Sequence, residues 1–154
     1  MRLCGWAAGL LIVVALAMGC SADEAFEGTL LDPVDDAPAI RLSDQFGESV
    51  ALSDFAGKVV LLTFLYTSCL DVCPVVTETL RRTHQLLGSD AARVQMVAVS
   101  VDPEGDSVGR AHQYSEEREM QDKWRFLVGT EDELEPIWRS YWLDPIRDVG
   151  DQEG

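Results

Sequence analysis

Apolar and polar residues alternate on both sides of a turn-like segment, residues 44–47. Ile40 and Leu42 precede this segment, and Val50 and Leu52 follow it. A period of two is typical of a strand with one buried face. The pattern therefore predicts a hairpin that forms a lid or an edge of the fold.

Three nearly unbroken apolar runs follow, at residues 59–66, 94–101 and 124–128. Their length and their β-branched and aromatic residues predict strands, and the first is expected to be a central strand buried on both faces. The intervening segments have helical spacing. One helix is predicted to end at Gly88, and another is predicted to be capped by Ser107 and to run toward Met120. This alternation of strands and helices predicts βαβ units and an α/β fold.

A last helix is predicted after the third strand. Thr130 and Glu133 have the spacing of a capping box, and an apolar stripe follows them, made of Leu134, Ile137, Trp138 and Tyr141. Pro136 interrupts the pattern and, because it lacks an N–H, must kink this helix or delay its start. The tryptophans are expected in the core. No further strand is predicted in the polar residues 148–154.

The first residues follow a different pattern. Arg2 is followed by an uncharged apolar run at residues 10–18, which has the length of a signal-peptide core and is short for a spanning helix. Small residues before Cys20 resemble a bacterial lipoprotein box, although Ala17 stands where such boxes usually have leucine. We predict a signal peptide over residues 1–19 and a lipid on Cys20, on the periplasmic face of the cytoplasmic membrane. Plain cleavage and a retained anchor are the alternatives.

The composition indicates a single domain and argues against nucleic acid as a partner. A chain of 154 residues with 47% hydrophobic residues suits a single globular core. Residues 20–38, rich in acidic residues, alanine and proline, are predicted to be a flexible tether to a domain at residues 39–154. The net charge of −15 makes nucleic acid an implausible partner, and solubility explains the acidity most simply.

The cysteines are the strongest chemical signal. Cys4 lies in the predicted signal and Cys20 at its end, so one pair remains in the domain, Cys69 and Cys73. A loop between a buried strand and a helix places both thiols at a helix N-terminus, which favours thiolate. Pro74 suits the first turn of that helix. Paired soft sulfurs select Cu(I), whereas a local disulfide explains the spacing alone about equally well.

Two ordered motifs carry a more specific resemblance. Residues 64–74 read Phe-x-Tyr-Thr-x-Cys-x-Asp-Val-Cys-Pro, and residues 100–106 read Ser-Val-Asp-Pro-Glu-x-Asp. Together with Gly57 and Lys58 they resemble the Sco/SenC family. The resemblance implies a thioredoxin-like fold, with βαβ units around a mixed sheet and an N-terminal hairpin. It also implies that the C-terminal part of the usual fold is missing from residues 39–154.

The resemblance implies a function as well. Members of the family bind copper and assist assembly of the binuclear copper centre of cytochrome c oxidase, so the implied partner is the subunit carrying that centre. Their ligands are two cysteines, which correspond to Cys69 and Cys73, and a downstream histidine whose position falls about where this sequence ends. His84 lies about 15 Å along the helix from the thiols, and His112 lies on another helix. Both histidines are expected at the surface.

The sequence leaves the roles of Asp71, Asp102 and Pro103 open. Leu70 replaces a proline common in the family. Asp71 is interpreted first as a residue that stabilises the turn. The alternatives are a residue that contacts the copper ligands without binding copper, or a weak copper ligand. Asp102 and Pro103 suit a strand-ending turn and a site at the sheet edge equally well.

Three functions compete. The first is a metallochaperone that holds Cu(I) without catalytic turnover. The second is a membrane-tethered thiol-disulfide oxidoreductase, in which Cys69 attacks and Cys73 resolves. The third is a truncated member of the family without a competent site.

Overall fold

The computed structural model describes Thr29, Pro33 and residues 35–144. The chain divides into two units, Met1–Asp35 and Asp36–Gly154, and every element below belongs to the second. The predicted signal peptide, Cys4, the lipidation site at Cys20 and most of the predicted tether lie outside the described residues. Within the part of the chain that is described, no helix has the length and apolarity needed to cross a bilayer.

The predicted hairpin is present. Strand β1 (Arg41–Ser43) pairs antiparallel with β2 (Ser49–Ala51). The turn between them is held by Asp44, whose Oδ1 accepts the N–H groups of Phe46 and Glu48, each at 2.9 Å. A short 3₁₀ helix (Leu52–Phe55) follows.

Within the part of the chain that the structure describes, three parallel strands form the main sheet in the order β3, β4, β5. They are β3 (Val59–Leu65), β4 (Val94–Ser100) and β5 (Trp124–Leu127). The connections between them contain helices, as parallel pairing requires. The α/β class is therefore as predicted. The three strands of the described main sheet are parallel, and the antiparallel pair β1 and β2 meets this sheet at one antiparallel bridge, in which the Val128 N–H donates to the Ser43 carbonyl oxygen at 2.8 Å.

The position of β3 differs from the prediction. Among the described strands β4 is central, with Met96, Val97, Ala98 and Val99 each at most 1% exposed. Strand β3 lies at the edge of the sheet formed by the described residues, and Val59 is 66% exposed. An apolar run identifies a strand, but its burial depends on neighbours that the run itself does not specify.

In the described residues, three α-helices connect and cover the strands. Helix α1 (Val72–Leu87) links β3 to β4 and ends at Gly88, whose φ is +52°. A 3₁₀ turn (Gly88–Arg93) leads on to β4. Helix α2 (Val108–Glu117) starts at Ser107, whose hydroxyl accepts the Arg110 N–H at 3.3 Å, as predicted.

Helix α3 (Glu131–Ser140) follows β5. The predicted capping box forms, since Thr130 N–H donates to Glu133 Oε2 at 2.8 Å. The helix begins at Glu131 with Pro136 inside it, so a delayed start is wrong. Trp124 and Trp138 are buried as expected, whereas Trp142 is 84% exposed, because it lies beyond the end of α3.

Candidate functional site

The cysteine pair lies where β3 leads into α1. Strand β3 ends at Leu65, Cys69 lies in the following loop, and Cys73 is the second residue of α1. The two cysteines are 6% and 4% exposed, and both are free thiols. Pro74 occupies the first turn of α1, where the missing N–H has no helical partner to lose. The structure thus places both sulfurs at the helix N-terminus, as predicted.

The Cys69 sulfur accepts hydrogen bonds from this first turn. The Cys73 N–H donates to Cys69 Sγ at 3.3 Å. Burial opposes ionisation, but hydrogen bonds from the Cys73 thiol, from the backbone of Cys73 and Asp71 and from the Tyr66 side chain outweigh it. They lower the pKa of the Cys69 thiol from 9.0 to about 7. A large fraction of Cys69 is therefore thiolate near neutral pH.

Cys73 behaves in the opposite way. Burial, and after it the hydrogen bond that its thiol makes to Cys69, raise the pKa of the Cys73 thiol from 9.0 to about 11. The negative charge of Asp106 also contributes to this rise. The site thus pairs an ionisable sulfur with a protonated one, and the two lie within hydrogen-bonding reach of each other.

Two carboxylates from the β4–α2 loop meet the cysteine loop. Asp106 Oδ1 accepts the Thr67 N–H at 2.9 Å and the Thr67 hydroxyl. Asp102 Oδ2 accepts the Ser68 hydroxyl at 3.4 Å, and its Oδ1 accepts the Gly105 N–H at 2.9 Å. The turn role of Asp102 is therefore present. The link from Asp106 to Thr67 spans 39 positions of sequence, and no local pattern indicates it.

A chain of buried hydroxyls supports the first turn of α1. Thr77 Oγ1 donates to the Cys73 carbonyl oxygen at 2.9 Å and lies 2.9 Å from the Tyr114 hydroxyl. The Tyr114 ring stacks on Trp124, with centroids 6.3 Å apart. Burial raises the pKa of Tyr114. Tyr114 of helix α2 and Trp124 of strand β5 thus help to hold Cys73 in position through Thr77. The sequence did not reveal this contribution.

The remaining candidates lie apart from the thiols. His84 is in the last turn of α1, about 16 Å along the axis from Cys73, and is partly exposed. His112 Nε2 lies 3.6 Å from Glu116 on α2. Asp71 is the residue before α1, and its side chain makes no capping hydrogen bond. Across residues 35–144, no three His, Cys, Asp or Glu side chains are grouped to hold one ion.

The donors that are present suit a soft monovalent cation. Two sulfurs lie within hydrogen-bonding reach at a helix N-terminus, and one of them ionises near neutral pH. Thiolates select Cu(I) over the hard cations that prefer oxygen. The same pair can instead undergo disulfide exchange, because it combines a thiolate with a neighbouring thiol.

Comparison with known proteins assigns the family. A family model described as SCO1/SenC matches residues 33–149. The SCO1 protein homolog of Bacillus subtilis is 27% identical over 127 residues, which cover 81% of this chain and 62% of that protein. The chain thus spans less than two thirds of the length of this relative.

Solved structures agree on the fold. The apo Sco1 protein of Thermus thermophilus is 34% identical, with a TM-score of 0.67 over 79% of this chain and 69% of that one. The Bradyrhizobium japonicum ScoI structure, which has copper bound, is 31% identical, with a TM-score of 0.60 over 70% of this chain and 68% of that one. These likenesses confirm the predicted thioredoxin-like α/β fold. Because the family model covers well over half of the residues, the chain belongs to the SCO1/SenC family.

Proposed function

We propose that this protein is a metallochaperone that holds Cu(I) with Cys69 and Cys73 and passes it on during assembly of the binuclear copper centre of cytochrome c oxidase. The observation that carries the proposal is the pairing of the two buried sulfurs at the start of α1, with Cys73 N–H donating to Cys69 Sγ. Relatives of similar fold are known with copper bound, and the Sco family is described as one of cytochrome c oxidase assembly proteins.

The two thiols have different tasks in binding. Cys69, with a pKa of about 7, offers a thiolate to an incoming ion near neutral pH. Cys73, with a pKa of about 11, gives up its proton when the ion takes its place. Transfer to an acceptor then proceeds by exchange of one sulfur ligand at a time, without catalytic turnover. The acceptor in this proposal is the oxidase subunit that carries the binuclear copper centre.

The location is part of the same proposal. Signal removal after residue 19 and a lipid on Cys20 would hold the domain, through the acidic tether, at the periplasmic face of the membrane where such an acceptor lies. Mass spectrometry of the mature protein tests this directly. A diacylglyceryl mass on Cys20 supports it, and a chain that still begins at Met1 contradicts it.

Cu(I) binding under a competing chelator tests the site. The experiment uses the reduced chain with Cys4 and Cys20 replaced by serine, so that only the domain pair can bind. We expect one Cu(I) per chain, lost in both Cys69→Ala and Cys73→Ala. His84→Ala is the matched control and should bind as the parent does. Unchanged stoichiometry in the cysteine variants would remove the site assignment, and no binding by the parent would indicate a member without a competent site.

A thiol-disulfide oxidoreductase is the second candidate, favoured by the unequal pKa values of the two thiols. In this function the Cys69 thiolate attacks a substrate disulfide, forms a mixed disulfide and releases one substrate thiolate. Cys73 then loses its proton to solvent and attacks Cys69 Sγ, which releases the second substrate thiolate. The substrate gains two electrons, and the pair becomes a disulfide. Rapid exchange with a model disulfide, without competitive Cu(I) binding, would favour this candidate.

A further inference from the structure

Asp106 is a buried carboxylate in the loop between β4 and α2. It is 6% exposed and accepts hydrogen bonds from the cysteine loop and from the end of β4. Its Oδ1 accepts the Thr67 N–H at 2.9 Å and the Thr67 hydroxyl, and its Oδ2 accepts the Ser100 hydroxyl at 2.6 Å. All three donors are neutral groups. The carboxylate thus joins the residue two positions before Cys69 to the end of the central strand.

The turn that carries Asp106 is itself well held. The Asp106 N–H donates to the Asp102 carbonyl oxygen at 2.8 Å, and the next residue, Ser107, caps α2. Ser100 is the last residue of β4, and its side chain is fully buried. Asp106 therefore presents its carboxylate from a fixed support between a strand end and a helix start.

The other hydrogen bonds of the cysteine loop either end on the Cys69 sulfur or are longer than those from Thr67 to Asp106. Beyond Leu65, the last residue of β3, the Cys69 N–H reaches the Tyr66 carbonyl oxygen at 3.4 Å. The Ser68 hydroxyl reaches Asp102 at 3.4 Å in an exposed position. The contacts from Thr67 to Asp106 are shorter and partly buried, and hydrogen bonds to a charged acceptor are stronger than those between neutral groups. They fix the loop just before Cys69.

We infer that Asp106 is a positioning residue for the thiol pair, which fixes the start of the cysteine loop so that Cys69 Sγ stays beside the first turn of α1. Its importance for copper rests on the proposed function. Its effect on the pair itself does not, because a disulfide, like a chelate, requires both sulfurs to be held close together. Without the anchor, the effective concentration of one thiol for the other falls.

Equilibrium with glutathione, followed by the ratio of reduced to oxidised pair, measures that effective concentration. We expect Asp106→Ala to lower the equilibrium constant for forming the Cys69–Cys73 disulfide by about tenfold, the scale of losing buried hydrogen bonds to a charged group. Cu(I) affinity should fall by a similar factor. Asp106→Asn removes the charge but offers an amide oxygen to Thr67 and an amide N–H to Ser100, so it should retain part of the anchor and fall between the parent and Asp106→Ala on both measures.

Asp44→Ala is the matched control for stability. Asp44 is also buried and accepts two backbone N–H groups and Arg125, but it lies in the hairpin turn. The Asp44→Ala variant should lower the midpoint of thermal unfolding, as Asp106→Ala does. It should leave the glutathione equilibrium of the cysteine pair unchanged. The inference is overturned if Asp106→Ala leaves that equilibrium unchanged, if Asp44→Ala shifts it equally, or if Asp106→Asn behaves like Asp106→Ala. A parent without Cu(I) binding rejects the proposed function, while the glutathione equilibrium still decides the role of Asp106.

Discussion

The two faces of the main sheet are built from alternate residues of the same strands and have different contents. On β4, Met96 and Ala98 face one apolar cluster, and Val97 and Val99 face the other. We call the first the thiol face, defined by Leu65, Cys69, Cys73, Leu80, Met96, Ala98, Ala111, Tyr114, Met120, Trp124, Phe126 and Val128. The second is the hairpin face, defined by Ile40, Leu42, Val50, Val97, Val99, Leu127, Leu134, Ile137 and Trp138.

The thiol face contains the reactive cysteines, whereas the hairpin face contributes packing. The thiol face includes two free cysteines, and its Tyr114 hydroxyl is bonded through Thr77 to the carbonyl of Cys73. The hairpin face is a cluster of aliphatic residues and Trp138. A substitution on the hairpin face should therefore change stability alone, whereas one on the thiol face should change stability and thiol chemistry together.

The largest effect is expected when a buried leucine is removed from either face. Leu134→Ala, on α3, should lower the free energy of unfolding by about 3 kcal/mol, because Leu134 is fully buried and the cavity is not refilled. The pH midpoint of Cys69 alkylation should not move. Leu80→Ala, on α1, should cost a similar amount and also change alkylation, because α1 carries Cys73. Urea denaturation and iodoacetamide kinetics measure both, and an equal change in alkylation for the two variants would contradict the separation.

A second test uses pH. The pKa of the Cys69 thiol falls from 9.0 to about 7 on folding, so this group contributes stability that is fully present above pH 9 and lost as pH falls through 7. The raised pKa of Cys73 acts against stability only above pH 9. Between pH 7 and 9 we expect the reduced protein to gain about 2 kcal/mol from Cys69.

The control for this pH effect is the double variant Cys69→Ser, Cys73→Ser. It should show the pH dependence of all other groups without that gain. Urea denaturation of both proteins in reductant at pH 7 and pH 9 gives the difference. Equal pH dependence in the two proteins would show that the Cys69 pKa is not lowered by folding.

A smaller effect compares two tyrosine hydroxyls. Tyr114→Phe removes the contact to Thr77, and Tyr141→Phe removes a 2.7 Å hydrogen bond to the Pro38 carbonyl oxygen beside the hairpin face. Each should cost about 1 kcal/mol of unfolding free energy. In double-mutant cycles with Thr77→Val, Tyr114→Phe should show a coupling of about 1 kcal/mol, whereas Tyr141→Phe should be additive. Additivity of both pairs would mean that the hydroxyl chain makes no joint contribution.

Local features of both faces could be predicted from the sequence, whereas features set by packing between distant segments could not. The hairpin, the caps at Ser107 and Thr130, and the position of the cysteines at a helix start are local features, and each is present as predicted. The edge position of β3 and the exposure of Trp142 depend on which elements pack nearby, which apolar character alone does not specify.

The supports of the thiol pair were harder to predict for the same reason. The contact from Asp106 to Thr67 and the Tyr114 hydroxyl contact to Thr77 join residues 39 and 37 positions apart. Asp106 stood out in the sequence only as part of a family motif, without a role. Contacts of this length appear only once the parallel strands have brought the loops to one edge.

The smallest expected effect defines where the thiol face ends. Leu70 follows Cys69 directly, yet it is 96% exposed, while Cys69 is 6% exposed. Since Leu70→Ser removes no buried contact, it should change the unfolding free energy by less than about 0.5 kcal/mol and leave alkylation of Cys69 unchanged. Leu65→Ser, 1% exposed on the same face, is the matched control and should be strongly destabilising. A loss above about 1 kcal/mol for Leu70→Ser in urea denaturation would mean that Leu70 packs against the domain in solution, and that the thiol face extends over the loop as well as beneath it.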